Sequence, residues 1–178
     1  MYRVLLIFIM LTMGIACNDG GVPATEATYS AKVSSFKVDP KMNYNQVLIK
    51  GLNLNDKEAA KVKNILASYR KNVQKTPDKE QKLKDNRKKK LSRILSEMQM
   101  AQRRFINSKY YNTKPKYPTH PINVQKKYGL SDAQVMKLIE IEYSFKADKN
   151  VRQKKERVTE LMGAENTTSF LESKGIII

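Results

Sequence analysis

Residues 54–77 read LNDKEAAKVKNILASYRKNVQKTP, and residues 83–106 read LKDNRKKKLSRILSEMQMAQRRFI. In both segments apolar residues recur in steps of three and four, which is the spacing of a helix with one buried side. The positions are Val62, Ile65, Leu66, Tyr69 and Val73 in the first segment and Leu91, Ile94, Leu95, Met98, Phe105 and Ile106 in the second. The pattern predicts a helical hairpin over residues 54–106 and an all-α fold class.

Helix starts are marked by a short pattern: Leu, a capping residue, two further residues, then Glu or Gln. It occurs at Leu54-Asn55-x-x-Glu58, at Leu95-Ser96-x-x-Gln99 and at Leu130-Ser131-x-x-Gln134. Such a pattern predicts a capping box, in which two side chains satisfy each other's backbone N–H groups. Thr76-Pro77 predicts a further start, with Thr as the cap and Pro first in the helix. From Lys79 the chain forms either one long helix to Tyr110 or two helices divided near Ser96.

Composition divides the chain into five segments. We predict a signal peptide over residues 1–17, a flexible tether over 18–45, a first helical hairpin over 46–110, a proline-rich linker over 111–127 and a second helical unit over 128–178. Small and polar residues indicate the tether, which ends near a possible short helix, Tyr44 to Ile49. Pro115, Pro118 and Pro121 indicate an extended linker, since each lacks a backbone donor.

Apolar residues predict a long helix after Ser131 in the second unit. They are Val135, Leu138, Ile139 and Phe145. Ile139 to Phe145 also alternates between apolar and polar residues as a strand would, but the capped start and the length of the segment favour a helix. A second apolar row, which includes Val151 and Val158, is turned relative to the first and predicts a kink near Asp148.

The N-terminus has the pattern of a bacterial lipoprotein signal. Arg3 precedes an apolar run from Val4 to Ile15, as in a signal peptide. A membrane-spanning helix needs roughly twenty apolar residues, so this run is too short to remain in the membrane. Small residues then precede Cys17, which is the only cysteine of the chain. We expect Cys17 to carry a lipid anchor; the alternative is an ordinary secretory signal that is cut nearby.

The chain is strongly basic, with 34 Lys and Arg against 17 Asp and Glu. Residues 70–109 alone hold fourteen Lys and Arg against four Asp and Glu. A merely solvated helix face usually mixes the two signs, because like charges on adjacent turns repel each other. The excess indicates an anionic partner, and we call the surface from Lys84 to Arg104 the basic face. Its candidate client-binding residues are Lys84, Arg87, Lys88, Lys90, Leu91, Met98, Arg103 and Arg104.

No catalytic or metal site is predicted. The single histidine, His120, lies in the linker, whereas a histidine metal site needs two or three such ligands. The sequence contains neither a glycine-rich phosphate loop nor a serine nucleophile elbow. Glu140 and Glu142 point to different sides of a helix, so they cannot work as a catalytic pair. We therefore expect a binding protein without enzymatic activity and without a cofactor.

With these motifs, the chain resembles the Spy/CpxP group of periplasmic proteins, whose mark is a Leu-Thr-x-x-Gln motif that occurs twice. The motif positions are occupied by Leu54, Asn55 and Glu58 and by Leu95, Ser96 and Gln99, with a weaker match from Leu130 to Phe170. Asn or Ser stands in place of the Thr. The resemblance implies a small, all-helical, basic protein that forms cradle-shaped dimers and acts as an ATP-independent chaperone or envelope-stress sensor.

The leading hypothesis is a lipid-anchored protein in the cell envelope of a Gram-negative-type bacterium, facing the periplasm or the cell surface. Its expected partners are unfolded or acidic envelope proteins, the membrane through the lipid anchor and a second copy of the chain in a homodimer. One alternative is a structural or adaptor lipoprotein without chaperone activity. Another is a secreted basic binder of polysaccharide or nucleic acid, of which nucleic acid is the less favoured because a signal peptide removes the chain from the cytosol.

Cys17→Ala should move the protein from the membrane fraction to the soluble fraction, because it removes the only thiol that can carry a lipid. Cell fractionation followed by immunoblotting measures the shift. Mass spectrometry of the native-sequence protein should show a lipid adduct at Cys17. Unchanged membrane association of the variant, together with no adduct on the native sequence, would contradict the lipoprotein hypothesis.

Overall fold

A computed structural model describes residues 35–146 and 150–176. Regular structure in these residues is entirely helical, which confirms the all-α prediction. The α-helices are α1 (Tyr44–Leu52), α2 (Asp56–Lys75), α3 (Glu80–Leu91), α4 (Glu97–Tyr110), α5 (Pro121–Tyr128), α6 (Asp132–Ser144), α7 (Val151–Met162) and α8 (Ala164–Ser173), with a 3-10 turn at Pro77–Lys79 between α2 and α3. The predictions for the signal peptide, Cys17, most of the tether and the kink near Asp148 lie outside the described residues.

Three helices start where the capping pattern predicts. Asn55, Ser96 and Ser131 cap α2, α4 and α6, each with a complete capping box. The Ser96 box decides between the two alternatives for residues 79–110, because α3 ends at Leu91 and α4 begins afresh at Glu97. Thr76 and Pro77 begin a 3-10 turn as the sequence predicts, but the Thr76 side chain does not cap it. Its hydroxyl instead donates to the carbonyl oxygen of Asn72, 3.0 Å away in the preceding turn.

One hydrophobic core includes side chains from both predicted units. The central helix is α4, which packs against α1, α5 and α6, while α6 also packs against α7, and α7 against α8. The largest fully buried apolar side chains are Leu48, Leu52, Leu91, Phe105, Ile106, Met136, Phe170 and Leu171. These residues span the first and second predicted units, so the two units are packed together and not separated by the linker.

The structure corrects the boundaries of the tether and the linker. Phe36 and Val38 were assigned to the tether, yet both are buried in the core, and α1 already begins at Tyr44. The linker ends at His120, because Pro121 occupies the first turn of α5 and the His120 side chain caps that helix. Residues 111–120 contain turns and are not extended throughout. The linker correction has a local physical cause: proline is well tolerated at a helix start, where its missing N–H costs nothing.

Helices α2 and α3 form the predicted hairpin, but only its base is anchored in the core. Fully buried side chains are confined to Ala59, Val62, Leu66 and Leu91. Farther out, Tyr69 is half-buried, and the guanidinium of Arg87 lies over its ring at 4.0 Å from the centroid. This cation–π contact and half-buried apolar side chains therefore hold the outer hairpin together.

Gly51 allows α1 to approach α4 closely. A β-carbon at this position would lie only 2.6 Å from the Ile106 side chain and 2.6 Å from the Phe36 ring. No larger residue fits at this position. The predicted short helix therefore does not end before the glycine but continues through Gly51 to Leu52.

A buried carboxylate at the start of α6 joins three other parts of the chain. Oδ2 of Asp132 accepts the backbone N–H of Val38 at 2.7 Å. Its Oδ1 accepts the side-chain amide of Gln125 at 2.7 Å and lies 3.2 Å from Nζ of Lys109. The Asp132 side chain is only 6% exposed, so these contacts replace nearly all of its water. They tie the N-terminal segment, α5 and the end of α4 to α6.

Asp132→Asn should lower the free energy of unfolding by about 2 kcal/mol, because an amide loses the charge facing Lys109 and turns a donor toward a buried donor. Chemical denaturation followed by circular dichroism measures the change. Asp85→Asn, an exposed position on α3, is the matched control and should change stability by less than about 0.5 kcal/mol. Equal stability of the two variants would contradict the proposed structural role of Asp132.

Candidate binding groove and basic face

The basic face is built mainly by α3 and the first half of α4. Lys84, Lys88 and Lys90 are exposed on α3, and Lys84 pairs with Glu80 at 2.9 Å. This contact raises the pKa of Lys84, chiefly through the hydrogen bond that Lys84 donates to Glu80. Leu91 was predicted to bind clients, and that assignment is wrong: it is 0% exposed. The apolar period that suggested a surface stripe instead marks the side of α3 that enters the core.

A groove of about 680 Å³ runs beside the break between α3 and α4. Its walls also include Tyr143 from α6, which faces the start of α4. The lining residues are Lys88, Ser92, Leu95, Ser96, Glu97, Met100, Arg103, Arg104 and Tyr143. The structure thus brings together three of the predicted client-binding residues, Lys88, Arg103 and Arg104, and we call this site the cationic groove. The other five predicted residues, Lys84, Arg87, Lys90, Leu91 and Met98, do not line it.

The charges in the cationic groove are unbalanced. Among the described residues, Lys88, Arg103 and Arg104 form no ion pair with a carboxylate. Glu97 is the single carboxylate in the described lining, and it pairs with Lys146 at 2.6 Å. The hydrogen bond from Lys146 lowers the pKa of Glu97, so Glu97 stays ionised and its charge is paired with that of Lys146. An anionic ligand would therefore meet cations whose charge the described chain leaves uncompensated.

Arg103 is the most enclosed of these cations. Its Nε is buried and meets no hydrogen-bond acceptor within the described part of the chain. The guanidinium lies beside the hydroxyl of Tyr44, and burial lowers the pKa of Arg103 while it raises the pKa of Tyr44. A guanidinium nevertheless remains protonated in proteins. Arg103 is therefore a fixed positive charge that is partly removed from water, which strengthens its attraction for a carboxylate.

A second, smaller cavity of about 280 Å³ shares Arg104 and Tyr143 with the cationic groove. Ile139 and Tyr117 add apolar surface to it, and His120 lines it as well. Burial, and then the charge of Arg104, lower the pKa of His120, so the imidazole is neutral at pH 7. Arg104 and Tyr143 therefore border both spaces. The smaller cavity also contains Glu142, which pairs with Lys174 at 2.7 Å.

The capping motif has a structural role in this fold. Besides closing its own capping box, the Gln134 amide donates to the carbonyl oxygen of Leu161 at 2.9 Å, and the Gln99 amide donates to that of Leu52 at 3.4 Å. Both acceptors lie at the C-terminal ends of other helices, where carbonyl groups lack intrahelical partners. Glutamine suits this position because it can accept one bond and donate another.

The other residues of the motif also serve packing. Leu95 and Leu130 are buried, Leu54 is half-buried, and Glu58 completes the Asn55 box. None of the three boxes presents a reactive arrangement. Of the motif residues, only Leu95 and Ser96 line the cationic groove.

Sequence reasoning did not identify Tyr143 as a groove residue, because the contact depends on how α6 packs against α4.

Within residues 35–146 and 150–176, no group of three or more His, Cys, Asp or Glu side chains is placed to hold a metal ion. None of the helices in these ranges combines the length and the apolar character that a membrane crossing requires.

The comparisons with known proteins give no further guide to the role of the groove. The chain matches no protein-family model, and neither a curated protein nor a solved structure is significantly similar to it.

Proposed function

We propose that this chain is a cell-envelope lipoprotein that acts as an ATP-independent chaperone or envelope-stress-sensing binding protein. The observation that carries the proposal is the cationic groove, where Lys88, Arg103 and Arg104 surround apolar surface from Leu95 and Met100. Unfolded chains expose both acidic and apolar side chains. A surface that combines uncompensated cations with apolar contacts suits such a partner better than it suits a small polar metabolite.

Capture and holding would depend on different parts of the surface. The exposed lysines of α3 would draw acidic clients in over a distance, since charge attraction accelerates encounter. The groove would then hold apolar side chains of the client against Met100, whose flexible side chain adapts to different shapes. The lipid anchor at Cys17 would keep this surface close to the envelope membrane, where clients emerge.

The chain lacking residues 1–17 should suppress the aggregation of an acidic client that unfolds on disulfide reduction, as measured by light scattering. Replacing Lys88 and Lys90 with Glu should slow capture severalfold while leaving the fold intact, because exposed helix charges contribute little to stability. Added salt should have the same effect on the native sequence, since screening at 0.15 M limits charge attraction to about 8 Å. Arg87 is left in place because it contacts Tyr69.

Lys114→Glu with Lys116→Glu is the matched control, since both lysines are exposed in the proline-rich segment and the change in net charge is identical. It should leave suppression nearly unchanged. Suppression that ignores salt and the α3 reversal would contradict the basic-face mechanism. No suppression at any salt concentration would favour the alternative of an adaptor lipoprotein that holds one folded partner.

A further inference from the structure

We propose that the cationic groove binds one short client segment in which a carboxylate side chain neighbours an apolar side chain. This inference rests on the proposed function and names its substrate class. The carboxylate would face Arg103 and Arg104, and the apolar side chain would lie on Leu95, Met100 and Tyr143. A guanidinium suits a carboxylate because it donates two parallel hydrogen bonds in one plane.

The loop between α3 and α4 uses its own backbone donors within the chain. The backbone N–H groups of residues 92–95 donate to carbonyl oxygens within the chain, and that of Ser96 donates to Gln99. The hydroxyl of Ser92 donates to the carbonyl oxygen of Lys89, and that of Ser96 serves the cap of α4. Residues 92–96 therefore have no spare backbone N–H for the ligand, and the cations available to an anionic group of the client are the side chains of Lys88, Arg103 and Arg104.

The shape of the site favours a polypeptide segment over a membrane surface. Arg103 is half-buried within a concave site, where a planar layer of lipid headgroups cannot reach it. The volume of about 680 Å³ lies inside the range of roughly 300–1,000 Å³ that is typical of ligand pockets. Such a space accommodates a few side chains of one client, and the adjoining cavity beyond Arg104 provides room for the next residues.

The experiment measures fluorescence anisotropy with the full-length chain in a non-ionic detergent. The probe is a labelled peptide that alternates Glu and Leu, and the matched peptide has Gln in place of every Glu. We expect the Gln peptide to bind about tenfold more weakly, because only the carboxylates can pair with the guanidinium groups. Vesicles that contain phosphatidylglycerol are the competing membrane probe.

Two pairs of variants locate the site. Lys88→Ala and Arg104→Ala should each weaken binding of the Glu peptide about fivefold. Lys89→Ala and Lys90→Ala remove neighbouring exposed charges that do not line the groove, and each should change the affinity by less than about twofold. All four positions are outside the core, so the comparison does not depend on Arg103, whose loss could disturb the fold.

The inference is overturned by equal losses in the two pairs of variants, by equal binding of the Glu and Gln peptides, or by binding to vesicles with none to the Glu peptide. Its failure is distinguishable from failure of the proposed function. Peptide binding at the groove without suppression of aggregation would contradict the chaperone function and support the binding site. Full suppression by the Lys88→Ala, Arg104→Ala double variant would support the chaperone function and contradict the groove as its binding site.

Discussion

The buried carboxylate of Asp132 is the interaction on which the arrangement of the helices depends. It accepts hydrogen bonds from Val38 and Gln125 and faces Lys109 at the end of α4. A buried charge costs several kcal/mol unless it is paired, so the lowest-energy arrangement keeps all these partners around it. Because Lys109 and Asp132 join α4 to α6, the contact also sets where Arg103 and Arg104 lie relative to Tyr143. The cationic groove exists because these two helices meet in this register.

Helix α4 combines two roles that its sequence separates by position. Ala101, Phe105 and Ile106 are buried and hold the helix in the core, whereas Arg104 is exposed and Arg103 lies at the boundary between core and surface. Core packing of the apolar residues fixes the backbone of α4 at both arginines, and the partly buried side chain of Arg103 has little conformational freedom left to lose when a ligand binds. This preorganisation distinguishes Arg103 from the mobile lysines of α3, which are better suited to attraction over a distance.

Local features of the sequence were sufficient to predict most helices. Asn55, Ser96 and Ser131 each have a partner three residues later, and such short-range hydrogen bonds form independently of the tertiary fold. The prediction placed Pro121 in the linker, because proline is common in irregular segments, but proline also begins helices. Only the packing of Ile122 and Val124 into the core selects the helix here. The prediction placed Phe36 and Val38 in the flexible tether because their burial depends on α4 and α6, which lie far along the chain.

The site was predictable only in its charge. The excess of cations around residues 84–104 follows from composition, but the grouping of Lys88, Arg103 and Arg104 depends on the break after Leu91 and on the approach of Tyr143. Leu91 was misplaced because a helical period shows which residues share a side and not whether that side faces the core or a ligand. Distances between helices cannot be read from the spacing of residues within one helix.

The most direct test of the central claim, that clients bind in the cationic groove, is NMR of the chain lacking residues 1–17 with 13C-labelled methionine methyl groups. The chain then contains five methionines: Met42, Met98, Met100, Met136 and Met162. Met100 lines the groove, Met42 is 40% exposed but lies outside it, and Met136 is buried. During titration with an acidic client kept unfolded by reduction, the Met100 signal should shift or broaden while those of Met42 and Met136 stay unchanged. A bound client that moves the Met42 signal and leaves the Met100 signal in place would contradict the account.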